Sequence, residues 1–225
     1  MVRDKMPIEG TVVITDKQTS GKGQRLNSWL SEPKSNLICS YILHPAFLAA
    51  KNQFSLSAAV ALSVSDVVAE LLVDQTVQIK WPNDVLVNGK KVAGILIENM
   101  LRGSNIDCSI VGIGLNVNQT KFQDLPNATS LKLVSGVDYD IQEVLPELNA
   151  QLEKRYLQLR EGKQHESLQL LNDRLWAVGT QRTLTINGIN ESVTVIGIRP
   201  SGELELKHAD CSLTLHQHHE IGWNL

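Results

Sequence analysis

Basic charge is not in excess over these 225 residues as a whole: 21 Lys and Arg stand against 24 Asp and Glu, a net charge of −3. That balance makes no field to draw nucleic acid, and no basic block supplies a local one. Cysteine is scarce and odd in number. Cys39, Cys108 and Cys211 are far apart and in no CxxC spacing, which excludes a disulfide frame and fits reduced thiols buried as small hydrophobes in the cytoplasm. The longest apolar-rich stretch, Leu56 to Val73, contains Ser63, Ser65, Asp66 and Glu70 and reads as too polar for a membrane span. Residues 1–10 are charged and lack the apolar centre of a signal peptide. GxSxG, Walker A and HExxH patterns are missing, as are internal repeats and low-complexity tracts. The expectation is a soluble, cytoplasmic protein with neither a nucleic-acid nor a membrane partner.

What is present is a chain with ordinary apolar content, 42%, long enough for one large domain or a medium and a small one. Thr11 to Thr15 is β-branched and predicts a short buried strand. Lys17 to Lys34 is polar, glycine-bearing and aperiodic, hence a long loop, and such loops are usually functional. Leu37 to His44 predicts a strand. Leu56, Val60, Val64, Val67, Val68 and Leu71 recur at helical spacing and predict a helix over residues 55–73. Strands follow at 77–80, 84–87 and 91–98, with Asn88-Gly89 as a hairpin turn, and another at 108–117. Asp140 is positioned to cap a helix running to Glu161, and a second helix covers about 165–176. Beyond Gly179 come short alternating strands, 183–186, 192–198, 204–207 and 212–216. They predict a small β-barrel, with a domain boundary near Val178.

Three segments gather groups able to handle anions. In Gln18-Thr-Ser-Gly-Lys-Gly-Gln-Arg-Leu-Asn-Ser-Trp29, Gly21 and Gly23 permit close backbone approach, Lys22 and Arg25 bring charge, and Trp29 offers an aromatic face. In Lys80-Trp-Pro-Asn-Asp84, Lys80 is suited to phosphate and Asp84 offers oxygen to Mg²⁺. In Lys91-Val-Ala-Gly-Ile-Leu-Ile-Glu98 and Gly112-Ile-Gly-Leu-Asn116, the strand glycines Gly94, Gly112 and Gly114 suggest the floor of a ligand slot. Each has a plainer alternative: a surface loop, a Pro-Asn-Asp turn, and a bulge. His216, His218 and His219 read as surface imidazoles rather than a metal site, with no second cluster at ligand spacing. His44, His165 and His208 read as structural or solvated.

Together and in order, these segments resemble the catalytic domain of biotin–protein ligases. The first looks like that family's biotin- and adenylate-binding loop, the second like its Lys-Trp-Pro-Asn-Asp signature, and the third like its Lys-x-x-Gly-Ile-Leu and Gly-x-Gly-x-Asn strands. The likeness runs from about Thr11 to Asn118. It implies an α+β fold, a mixed β-sheet flanked by helices like that of class II aminoacyl-tRNA synthetases, followed by a small SH3-like β-barrel. The expected domains are 1–178, catalytic, and 179–225, SH3-like.

The resemblance also implies an ATP-dependent biotin–[biotin carboxyl carrier protein] ligase. It would form biotinyl-5′-adenylate and pass biotin to a lysine of the carrier domain of a biotin-dependent carboxylase. By resemblance Lys91 sits at the carboxylate and α-phosphate, with Arg25 and Lys22 closing over them; Lys91 and Arg25 are the expected catalytic pair. Gln18, Gly21, Lys22, Gly23, Arg25, Lys91, Gly94, Gly112 and Gly114 would meet biotin. Trp29, Lys80, Asn83, Asp84 and Asn116 would meet ATP, with Asp84 also at Mg²⁺. Gln24 and Leu26 depart from the arginine and glycine that many relatives carry there. No upstream Ser-Thr-Asn element precedes Thr11, so weak biotin binding by the chain as given is expected, and no helix-turn-helix segment suggests a repressor role. A lipoate–protein ligase or a non-catalytic biotin- or adenylate-binding relative are the competing readings, and a homodimer through an exposed sheet edge stays open.

Overall fold

A computed structural model describes residues 7–24, 28–123 and 125–224. The expectations for Arg25 and Leu26, and most of those for residues 1–10, lie outside the described residues. In chain order the strands and helices are β1 (Thr11–Ile14), β2 (Gly21–Lys22), β3 (Ser28–Trp29), β4 (Leu37–Leu43), α1 (Phe54–Leu71), β5 (Val77–Lys80), β6 (Asp84–Val87), β7 (Lys90–Arg102) and β8 (Asn105–Leu115). They continue with α2 (Leu131–Ser135), α3 (Ile141–Arg160), α4 (Gln164–Asp173), β9 (Gln181–Ile186), β10 (Ile189–Ile198), β11 (Leu204–Lys207), β12 (Leu213–His216) and β13 (Ile221–Trp223).

The main sheet has the order β1-β4-β8-β7-β6-β5. All of its strand pairs are antiparallel, and parallel pairing is confined to isolated bridges such as Lys91 with Ala128 and Ile79 with Leu175. Alternation along the strands divides its two faces. Cys39, Tyr41, Val111, Ile113, Ala93, Ile95 and Val85 belong to the core under the helices, and α1 packs between that face and α3 with α4. By length and composition Ala50–Leu71 passes for a membrane span, but 67% of its apolar window is buried inside the fold; it is the central core helix. Helix α3 begins where Asp140 was expected to cap it, its carboxylate accepting from the Gln142 amide at 2.8 Å. The Asn88-Gly89 turn has both residues at positive φ, 50° and 78°, as a tight hairpin requires.

Several expectations need correction. Strand β1 is not buried: it is the sheet's edge, with Val13 and Ile14 46% and 50% exposed, because among the described residues only β4 pairs with it. The long loop contains the small β2–β3 hairpin. Cys39 and Cys108 are buried, and burial pushes the Cys39 thiol up to about 12, but Cys211 is exposed in a turn. The C-terminal strands form a five-stranded sheet of order β12-β11-β10-β9-β13. Among the described residues β12 and β13 do not pair, so the strands are ordered as an open sheet, which is compatible with the small SH3-like domain expected. The strand β13 was not foreseen at all. Nor was α2, which Ser130 caps at 3.1 Å to the Leu133 amide and Gly136 ends in the left-handed region. His216 is buried, hydrogen-bonded to Thr214 at 2.8 Å, rather than a surface imidazole. His44 is held by the carbonyls of Pro7 and Asp107, and these bonds raise its pKa, Pro7 first, against the opposing effect of burial.

One charge cluster ties the helical layer together. Asp66 on α1 accepts two bonds from Arg155 on α3, at 2.9 and 2.6 Å, and one from Arg174 just after α4, at 2.7 Å. Only 11% of the Asp66 side chain is exposed. Removing the carboxylate leaves two guanidinium groups facing each other with little water. Asp66→Ala should lower unfolding stability by about 3 kcal/mol, read from urea denaturation; a loss of a few tenths would place the cluster among ordinary surface pairs.

Candidate functional site

The other face of the sheet carries a cavity of about 410 Å³. Its floor follows from strand register. Gly94 on β7 pairs with Gly114 on β8, and Leu96 with Gly112, so the three glycines share one face and leave it flat. Its cover is the β2–β3 hairpin, and its side walls come from the Trp81–Asp84 turn, from His218 in the turn before β13, and from Ile221 and Trp223 on β13.

Lys91 reaches this face through a β-bulge. Ala93 pairs with Val85 and Lys91 with Leu86, leaving Val92 as an extra residue on β7. In an unbroken strand Lys91 and Gly94, three apart, face opposite sides; an extra residue re-aims the side chain. The Lys91 Nζ consequently lies 3.2 Å from where a Cβ on Gly94 would stand. The backbone is pinned on its free side, the Lys91 amide donating to Asn127 at 2.7 Å and its carbonyl accepting from Thr129 at 2.8 Å. The ammonium sits 2.7 Å from Asp84 Oδ1, yet that buried oxygen has no well-angled hydrogen bond. We take the close contact as real attraction between opposite charges, and the poor angle as a sign that Asp84 is free to accept a better partner.

Trp29 lies flat on the glycine floor, 5.4 Å from the Lys91 Nζ. A Cβ on Gly114 would come under 3.0 Å from three indole atoms, and one on Gly94 would stand 2.9 Å from the ring. The glycines therefore make room for the tryptophan as well as for anything else in the slot. The indole N–H is buried without an acceptor, a costly state for a donor.

Of the residues expected at the site, Gln18, Lys22, Gly23, Trp29, Asn83, Asp84, Lys91, Gly94, Gly112 and Gly114 line this one cavity. Gly21 does not line it; it closes the hairpin, where a Cβ would strike Gln18 and the Trp29 carbonyl. Asn83 also braces the turn, its amide donating to Ile95 O at 2.8 Å. Asn116 is buried behind the floor and donates to Thr129 O at 2.9 Å. Lys80 is also outside the lining. Its ammonium stands 5.7 and 5.5 Å from the rings of Trp176 and Trp223. The lining also includes residues assigned no part in a ligand site from sequence: Ser40, Glu98, His218, which was expected to be a surface imidazole, Ile221 and Trp223. Two left a signal, the lone polar residue of an apolar strand and the acid in phase with Gly94. The other three left none, since tertiary packing alone brings them here.

Desolvation lowers the Lys80 pKa, with Lys91 adding to the effect and Asp84 opposing it. In the window between that lowered value and the ordinary 10.5, the unfolded chain holds a proton the folded one has released, so stability rises with pH. Lys80→Met should flatten this rise in thermal melts taken across the alkaline range; an identical pH slope would show that the ammonium is not desolvated by its tryptophan cage. Gly114→Ala should lift Trp29 off the floor and speed amide exchange over residues 18–24 several-fold, with the melting temperature little changed. Exchange as slow as in the parent would mean the indole is not seated on Gly114.

The comparisons with known proteins agree with this geometry. Residues 2–116 match the model of the biotin/lipoate A/B protein ligase family. The chain is 40% identical over 154 residues to the bifunctional ligase/repressor BirA of Bacillus spizizenii, covering 66% of this chain and 46% of that protein. It is 33% identical over 181 residues to the biotin–[acetyl-CoA-carboxylase] ligase of Mycobacterium tuberculosis, covering 80% and 63%. The chain thus spans about half to two thirds of the length of these relatives. Among solved structures, the biotin protein ligase of Aquifex aeolicus in complex with biotin and ATP superposes with a TM-score of 0.83 at 27% identity, covering 98% of this chain and 91% of that one. The sheet, its glycine floor and the bulged lysine accord with these matches: the chain belongs to the biotin/lipoate A/B protein ligase family.

Proposed function

We infer that this chain is an ATP-dependent biotin–protein ligase acting in the cytoplasm on the carrier domain of a biotin-dependent carboxylase. The observation that carries the reading is the placement of Lys91. It is a cation fixed by a bulge at the head of a glycine-floored slot, where a carboxylate and a phosphate have to be brought together. In the first step a biotin carboxylate oxygen attacks the α-phosphorus of ATP. The bond to pyrophosphate breaks, and biotinyl-5′-adenylate forms. In the second, a carrier lysine amine attacks the acyl carbon and AMP leaves.

Lys91 offsets the mutual repulsion of the two anions and the charge that builds on the phosphoryl oxygens. Asp84, whose Oδ1 is buried without a shaped hydrogen bond, would be the protein ligand for Mg²⁺, which would supply further positive charge to the phosphates. Such an ion usually keeps one or two carboxylates and fills its other positions from phosphate and water. Gln18, Lys22 and Gly23 belong to a cover that would close over the adenylate and keep water from it, and by the resemblance Arg25, outside the described residues, would join them. Trp29, lying beside Lys91, would meet the adenine. Residues 1–178 would form the catalytic unit and 179–225 a small SH3-like one, a division supported by the separate sheet that starts at Gln181.

Pyrophosphate release from ATP should depend on biotin. Lys91→Ala should cut it by about a hundredfold or more, the scale of losing one positioned donor to the developing charge. A variant within a few fold of the parent would remove Lys91 from the reaction, and release independent of biotin would remove the ligase reading.

A further inference from the structure

Just beyond β4, the His44 ring is held between two backbone carbonyls. Its Nδ1 stands 3.1 Å from the carbonyl oxygen of Asp107 on β8, and its Nε2 2.9 Å from that of Pro7. A carbonyl oxygen can only accept, and a neutral imidazole carries one donor and one acceptor. Only the imidazolium donates to both. The two carbonyls differ in how firmly they are placed. Asp107 belongs to a strand laddered on both sides, to β4 and to β7. Residues 7–10 are held by less. The Gly10 amide donates to Ile42 O at 2.8 Å, and Glu9 Oε1 accepts from the His44 amide at 3.1 Å and from the Tyr156 hydroxyl at 2.6 Å. Among the described residues, the charged and titratable groups facing the ring or its immediate partners are Glu9 ahead of β1, Asp107 of β8 with its partner Arg102 of β7, and Tyr156 of α3 with Arg160 one turn on.

We propose that His44 is a proton-operated latch: as an imidazolium it fastens residues 7–10, and with them the start of the edge strand β1, to the end of the sheet, and without its second ring proton it lets them loosen. Either neutral tautomer loosens the same segment. If Nδ1 keeps the proton, the Pro7 carbonyl loses its donor and faces a lone pair instead. If Nε2 keeps it, the ring is pushed away from the Asp107 carbonyl, which its ladder holds still, and the Pro7 contact moves with the ring. Release is local, because the two bonds to Glu9 do not pass through the ring. The direction in pH follows from the same contacts. The bond to Pro7 first, against burial, then the bond to Asp107 and the charges of Glu9 and Asp107 raise the His44 pKa above the ordinary 6.5. A raised value means that the latch is closed below 6.5 and opens as pH climbs through that raised value. Burial, first among its causes, pushes Tyr156 above its ordinary 10.0, so its hydroxyl keeps its proton and its bond to Glu9 while His44 titrates.

NMR titration and amide exchange of the full chain, His44→Gln and Glu9→Gln test this. In the parent, the Cε1 proton of His44 should titrate with a midpoint above 6.5, and both ring nitrogens should carry protons below it. Protection of the Gly10 and Thr11 amides, taken relative to an unfolded chain at the same pH, should fall by about two- to tenfold across that midpoint, the scale of one hydrogen bond. Protection of Ile113, inside the β4–β8–β7 ladder, should stay constant. His44→Gln offers a donor to one carbonyl at every pH, so Gly10 and Thr11 should sit at the lower protection throughout and show no step. Glu9→Gln removes a charge beside the ring but leaves the ring in place, so the step should remain with its midpoint lowered. A parent midpoint at or below 6.5, flat protection in the parent, a step that survives in His44→Gln, or a step abolished in Glu9→Gln each overturns the latch.

Discussion

Two strands can carry a slot on their surface only where side chains are missing from both at the same level. The pairing of Gly94 with Gly114 meets that condition, and it is held by the whole length of the β7–β8 ladder. A shift of one residue between these strands would set each glycine against a bulky neighbour and turn the floor toward the helices. The buried set on the opposite face, from Cys39 through Ile113 to Ile95, forbids that shift, because it would carry apolar side chains to the wet side. The recognition surface is thus fixed by the core beneath it. Trp29, Lys91 and the floor at Gly112 all take their positions from this one register.

Much of this was legible in the sequence, and for identifiable reasons. Helix α1 declared itself because its apolar residues repeat at helical spacing, and the Asn88-Gly89 turn because few other pairs tolerate positive φ at both residues. The strand glycines were readable because glycine weakens a strand unless something must come close. The bulge at Val92 was not readable. It is set by the pairing with β6, and a sequence read alone places Lys91 on the face opposite Gly94. The surroundings of Lys80 were equally hidden: its neighbours in sequence suggested phosphate, and nothing near it in the chain announced Trp176 and Trp223, whose rings stand beside its charge. Asn116 looked like a ligand group because it ends a glycine strand, yet its amide is turned to the backbone behind the floor.

The exposed edge of β1 and the open ordering of the C-terminal sheet have one cause. Local alternation tells a strand from a helix but says nothing of how many neighbours a strand will have. Thr11–Ile14 is β-branched enough for a sheet centre and ends at its rim. The five C-terminal strands alternate as barrel strands do, while closure depends on a pairing between β12 and β13 that no local pattern encodes.

The wall contributed by the last strand has a further implication. Trp223 donates its indole N–H to the Trp81 carbonyl at 3.1 Å, and Trp81 donates in turn to Gly202 at 2.9 Å, contacts between residues 142 and 121 positions apart. Contacts of such long range are late to form, since a large loop must close before they repay its lost entropy. A cavity bounded by Gln18 at one side and Trp223 at another is therefore among the last features of the molecule to exist as it folds. The glycine floor can be laid as soon as the β7–β8 hairpin closes, but it is walled only when distant parts of the chain have found each other. A ligand that binds only the walled cavity would hold those late contacts in place, so the small molecule would act as a strut between the two sheets as well as cargo.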